Sequence, residues 1–133
     1  VLNTTGNVTL VFPSNTAGNS YWLVVKHRNS IETWSANPVV MSVGGSYNFS
    51  DLASKAFADN QVMVDPGVYA VYAADINQDG YVDSFDYSLW ETDNLSFASG
   101  YFATDINGDG FVDGFDYTAW EANNLSFISL VTP

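Results

Sequence analysis

The chain repeats itself once near its C-terminal end. Residues 71–100 read VYAADINQDGYVDSFDYSLWETDNLSFASG and residues 101–130 read YFATDINGDGFVDGFDYTAWEANNLSFISL, with 18 of 30 positions identical and no gap. Chance does not produce that density of identity, so the segment is a duplication.

Each copy opens on an Asp-rich loop of 12 residues. The first runs from Asp75 to Asp86, with Asn77, Asp79, Gly80, Tyr81, Val82 and Asp83 between them; the second runs from Asp105 to Asp116, with Asn107, Asp109, Gly110, Phe111, Val112 and Asp113. Oxygen-bearing side chains occupy loop positions 1, 3, 5, 9 and 12, Gly occupies position 6, and position 7 offers its backbone carbonyl. This is the ligand spacing of an EF-hand loop. Calcium takes six to eight oxygens, and alternating ligands turn inward as the chain curls. Gly at position 6 permits the bend that follows, and the last ligand comes from the first turn of an outgoing helix. The expected metal ligands are therefore Asp75, Asn77, Asp79, Tyr81 (carbonyl), Asp83 and Asp86, and Asp105, Asn107, Asp109, Phe111 (carbonyl), Asp113 and Asp116, holding two calcium ions. Asp in place of Glu at position 12 shortens the reach and leaves magnesium as an alternative ion. Val82 and Val112, apolar at position 8, are expected to pair in a short antiparallel bridge between the loops.

A single Asp-Gly is better read as a turn. Here four Asp fall within 12 residues, twice, with no base beside them, and carboxylates gathered without a cation repel one another. Eleven of the 15 acids lie between Asp75 and Glu121, while all three bases, Lys26, Arg28 and Lys55, lie before residue 75. A net charge of −12 makes nucleic acid and anionic membrane poor partners, and no apolar run is long enough for membrane insertion. No leader of basic then apolar residues opens the sequence, so an export signal is expected to have been removed or to lie outside it. The absence of Cys excludes disulfides and thiolate zinc sites, leaving metal as the expected staple of a small unit.

Residues before the repeat read as β-structure. Strands are expected over residues 8–12, 21–28, 31–34, 39–43, 47–49 and 68–73, with a helical turn or two over 51–57. The expected fold class is α+β. Residues 1–72 would form an Ig-like, β-sandwich-type module, and residues 73–133 a module of two loop-helix motifs. About five strands fall short of the roughly seven a self-sufficient sandwich uses, so the sheet is expected to take a strand from another copy or chain.

Two loops, each followed by a short helix and preceded by none, resemble a type I dockerin over roughly residues 72–130. The resemblance implies an extracellular or cell-surface setting, the same two sets of calcium ligands, and a cohesin-like partner. The stretch LVVKHRNSIETWSANPV resembles a β-module placed before dockerin-like repeats in large secreted bacterial proteins.

Other residues carry competing readings. Lys26, His27 and Arg28 form either a docking patch for an acidic neighbour or a hairpin end with an Arg28–Glu32 pair. Tyr21, Trp22, Trp34 and Tyr47 form either a sugar-stacking platform or strand packing. Trp90 and Trp120 are expected each to pack its own helix. Glu91 and Glu121 read either as paired acids for glycoside cleavage or as structural residues, and their equivalence in the repeat points to a structural role. Asn3, Asn7, Asn48, Asn94 and Asn124 each open a glycosylation sequon. No catalytic constellation emerges, so the expectation is a non-enzymatic, calcium-stabilised extracellular module. It would self-associate by strand exchange into a surface filament; the alternatives are a dockerin docking a secreted enzyme to a cohesin scaffold, or a carbohydrate-binding module.

Overall fold

The computed structural model describes residues 6–133. In its N-terminal half the strands are short and pair two by two. They are β1 (Ser20–Tyr21), β2 (Val24–His27), β3 (Ser30–Trp34), β4 (Val39–Val40), β5 (Val62–Asp65) and β6 (Val68–Ala70). They form three separate two-stranded antiparallel sheets, β1 with β4, β2 with β3, and β5 with β6. The α+β class holds, but among the described residues no strand joins one of these pairs to another, so the broader sheets of the expected Ig-like sandwich are not formed. The reason lies in the side chains: much of what is buried here is polar, Asn29, Ser30, Thr33, Ser35 and Gln61 among them.

Several strand expectations change with this. The run over 21–28 breaks at Trp22 and Leu23, since β1 and β2 face different partners. Residues 8–12 and 47–49 are not strands; Val11 is almost wholly exposed, and Tyr47 and Phe49 pack ring edge to ring face at 4.8 Å. The helical expectation over 51–57 appears as two tight turns, Ala53–Lys55 and Phe57–Asp59. The sequence reading overlooked β5, although Pro66 and Gly67 mark its hairpin: Gly67 has φ +74° where the turn needs it.

The repeat half has two helices, α1 (Ser84–Leu95) and α2 (Gly114–Leu125). Each starts at a capping box. Asp83 accepts from the Phe85 N–H while Asp86 reaches back to the Asp83 N–H, and Asp113 and Asp116 do the same for α2. The two repeats are clasped crosswise. Val82 N–H donates to the Ile128 carbonyl at 3.0 Å, and Leu130 N–H to the Gly80 carbonyl at 2.7 Å; in the second loop Val112 N–H donates to Ala98 at 3.0 Å, and Gly100 N–H to Gly110 at 2.8 Å. Val82 and Val112 thus do not pair with each other. Each loop instead pairs with the segment that follows the other repeat's helix, and each valine is buried there.

The tryptophans also cross over. Trp90 donates to the Asp113 carbonyl at 3.1 Å and Trp120 to the Asp83 carbonyl at 2.8 Å. Each therefore ties its helix to the first residue of the other's cap rather than packing its own helix alone. Tyr87 and Tyr117 fill the space between them, with ring centroids 5.1–5.6 Å from the two indoles.

The β2–β3 hairpin joins this assembly. Ile31, 1 % exposed, packs with Ala74 and Val82, and Ile31 N–H donates to the Tyr72 carbonyl at 2.8 Å.

Candidate metal centre

Position 12 closes each loop. Asp86 is fully buried, and its Oδ1 accepts the N–H groups of Ile76 (2.7 Å) and Asn77 (3.1 Å) while Oδ2 accepts Asp83 N–H (2.9 Å). Asp116 repeats the arrangement with Ile106, Asn107 and Asp113 at 2.7, 3.0 and 2.9 Å. Three of a carboxylate's roughly four lone-pair sites are then taken, so each of these acids binds the two ends of its loop together and keeps about one site for a ligand.

Position 1 lies at the bottom of the curl. Asp75 is 2 % exposed, and its Oδ2 accepts the Gly80 N–H at 3.2 Å. Its Oδ1 is buried with no hydrogen-bond partner. Burial, and then the neighbouring Asp86 carboxylate, push the Asp75 carboxyl up to about 6. Burial also raises Asp86, against the three N–H groups that favour its charged form.

Positions 3, 5 and 7 form the exposed rim. Asn77 Oδ1 accepts Asp79 N–H at 2.9 Å, its Nδ2 donates to Asp79 Oδ2 at 2.8 Å, and Asp79 Oδ1 accepts Tyr81 N–H at 3.0 Å. Asn107, Asp109 and Phe111 match this within 0.2 Å. Tyr81 stands opposite Ser129, and Phe111 opposite Ser99. The bridging bonds come from the residues on either side, so the N–H and carbonyl of Tyr81 and Phe111 face away from the paired strand. The Tyr81 N–H bonds the loop's own Asp79, which places its carbonyl on the loop side as the spacing requires.

Among the described residues no three Asp, Glu or His side chains converge tightly enough to hold an ion unaided. Either loop needs its Asn oxygen and position-7 carbonyl as well. The donors are all oxygens, which suits a hard cation such as calcium and excludes a thiolate metal. The orphaned Asp75 oxygen fits that donor set, since a buried carboxylate oxygen without a partner is costly unless a cation meets it. Asp83 and Asp113 each spend Oδ1 on the helix cap, at 2.8 Å.

The other candidates take structural places. Lys26, not Arg28, pairs with Glu32, because the register that sets Val25 opposite Thr33 brings those two side by side. Arg28 turns toward the repeat instead. Trp22 meets Trp34 and Phe57 edge to face, at 6.3 and 5.8 Å, which is ring packing and not a flat stacking platform. Glu91 accepts from Tyr87 and Glu121 from Tyr117, one turn apart on each helix. Of the sequons, Asn3 lies outside the described residues, Asn7 and Asn48 are exposed, and Asn94 and Asn124 are half-buried on the helices.

Residues 73–119 match the family model for the dockerin type I domain, a stretch that takes in both loops, α1 and the first half of α2. No curated protein and no solved structure matches the chain. Among the described residues no helix is long and apolar enough to cross a membrane.

Proposed function

On the strength of the dockerin type I match across residues 73–119, we propose that the chain is an extracellular docking module whose C-terminal repeat binds two calcium ions and, so loaded, a cohesin-like domain. The buried, unpartnered Oδ1 of Asp75 is the observation that carries the metal assignment. Asp75, Asn77, Asp79, the Tyr81 carbonyl, Asp83 and Asp86 hold one ion, with their counterparts at Asp105, Asn107, Asp109, Phe111, Asp113 and Asp116 holding the other. The ions neutralise carboxylates that would otherwise repel, and they fix the starts of α1 and α2.

Those helix starts carry exposed Phe85 and Phe115, 67 % and 70 % exposed at equivalent positions. Two paired apolar rings beside loops of high negative charge suit a partner with apolar pockets inside a basic rim. Many dockerins carry a Ser-Thr type pair at loop positions 10 and 11, where this chain has Ser84-Phe85 and Gly114-Phe115. The partner read by this surface is therefore one that accepts phenyl groups. Self-association by strand exchange rested on an unfilled sandwich, and the described residues, which form only two-stranded sheets, do not favour it over docking. The role is binding rather than catalysis.

The test is calorimetric titration of the purified chain against a panel of cohesin domains, with calcium and with EGTA. Binding that needs calcium and weakens at least tenfold in Phe85→Ser/Phe115→Ser supports the reading. Calcium-loaded chain that binds no cohesin, or binds equally well in EGTA, overturns it.

A further inference from the structure

The two loops are not held in the same way, and the difference lies in residues far outside the repeat. Three backbone carbonyls lead into each loop: those of Tyr72, Ala73 and Asp75 in the first, and of Phe102, Ala103 and Asp105 in the second. At the first loop their donors are Ile31 N–H (2.8 Å), Asn123 Nδ2 (2.9 Å) and Gln78 Nε2 (2.7 Å). Two of these donors are side chains of the repeat itself.

The second loop lacks both. The residue equivalent to Gln78 is Gly108, and the residue equivalent to Asn123 is Asp93, which has no proton to donate and accepts from Thr104 at 2.6 Å. The β2–β3 turn supplies what is missing. Arg28 Nε donates to Phe102 at 2.9 Å and its Nη2 to Asp105 at 3.0 Å; Asn29 Nδ2 donates to Ala103 at 3.0 Å and to Asp105 at 3.1 Å. Asn29 is 1 % exposed, and its Oδ1 is tied to the His27 ring at 2.9 Å. The Arg28 guanidinium also lies 4.1 Å from the Tyr101 ring centre and 3.8 Å from Asp105 Oδ2. The repeats have thus diverged at the two positions whose donors the turn replaces.

We infer that Arg28 and Asn29 are positioning residues for the second cation loop, so that this loop takes its ion in full only while the β2–β3 turn is docked. The inference rests on the calcium reading of the loops. Neither side chain is a metal ligand; each acts by fixing the backbone that presents Asp105. The first loop, supplied by Gln78 and Asn123, does not depend on them in this way.

The experiment follows the backbone amides of Gly80 and Gly110 by NMR during calcium titration of the full chain. Each donates to the first Asp of its own loop, at 3.2 and 3.1 Å, and so reports one site. In Arg28→Gln/Asn29→Ala, the Gly110 response should require on the order of tenfold more calcium, the scale expected when buried acceptors lose their donors. The Gly80 response should stay within about twofold. Adding Asp93→Asn and Gly108→Gln to that variant restores the donors of the first repeat, and should bring Gly110 back toward its original midpoint. Gln is admissible there, since Gln78 itself adopts φ +61° and a Cβ on Gly108 meets nothing within 4 Å.

An unchanged Gly110 midpoint in the double variant, or equal weakening at both glycines, overturns the inference. So does failure of the added pair to rescue. If neither glycine of the unaltered chain responds to calcium, the metal reading itself has failed and this inference goes with it.

Discussion

Asp86 and Asp116 each gather three backbone N–H groups from both ends of a loop, and their burial makes that arrangement costly to undo. Asp86→Ala leaves those three N–H groups without their acceptor, and is expected to destabilise the chain by about 3 kcal/mol or more in urea unfolding. The position-6 glycines separate two effects. Both have φ near +90°, but a Cβ on Gly80 would lie 3.1 Å from Leu130 Cβ, while one on Gly110 meets nothing within 4 Å. Gly80→Ala should therefore lower the melting temperature more than Gly110→Ala, which costs about 1 kcal/mol in backbone strain alone. Asp75 sets a pH dependence. Its carboxyl is raised from 3.8 to about 6 by burial and by the Asp86 carboxylate, so between those values the folded chain binds more proton than the unfolded one. Metal-free stability from this group falls as pH rises through that window. Calcium affinity runs the other way, since binding must displace the proton. Calcium titrations at pH 7.5 and pH 5 should show weaker binding at pH 5 at the first loop, and equal affinities would count against a buried Asp75 ligand.

Among the elements, the crosswise clasp shows where reading the sequence stops being sufficient. The spacing of Asp75, Asn77, Asp79, Gly80, Asp83 and Asp86 is a local code, because the curl of 12 residues decides which oxygens meet. Helix starts were legible for the same reason, since the last ligand of each loop falls in the first turn of the outgoing helix. The partner of Val82 was not legible. Either Val112 or the segment after α2 offers an apolar strand-like stretch, and only the packing of both helices brings Ile128 and Leu130 to Gly80 and Val82. The strands before residue 72 were harder still. Their burial is largely polar and their pairs are two to five residues long, so alternation of apolar side chains carries little information there. Asn29 and Arg28 act on carbonyls more than 70 residues away, which no periodicity encodes. The clasp itself is testable. Ending the chain after Phe127 removes the partner of the first loop and uncovers Val82 and Ile31, and should cost several kcal/mol by thermal unfolding.

Across the whole molecule, the two halves are stitched by hydrogen bonds from Ile31, Asn29, Arg28 and Gln78, and by Asn60 Nδ2 to the Ser129 carbonyl at 3.0 Å. We propose residues 1–72 and 73–133 as the chain's two modules, and expect that stitching to make them unfold together rather than in separate steps. The apolar cores are small, with Ile31, Ala74 and Val82 in one and Ile76, Trp90 and Val112 in the other, so on the proposed calcium reading the two cations would carry a large share of the stability. At 100-fold excess over its dissociation constant each ion contributes about 2.7 kcal/mol. Thermal unfolding of the intact chain in calcium and in EGTA, with bound metal counted by native mass spectrometry, tests this most directly. The expected result is two calcium ions per chain and a melting temperature that drops by roughly 20 °C when they are removed. A chain that retains no ion and melts at the same temperature in both buffers would contradict it.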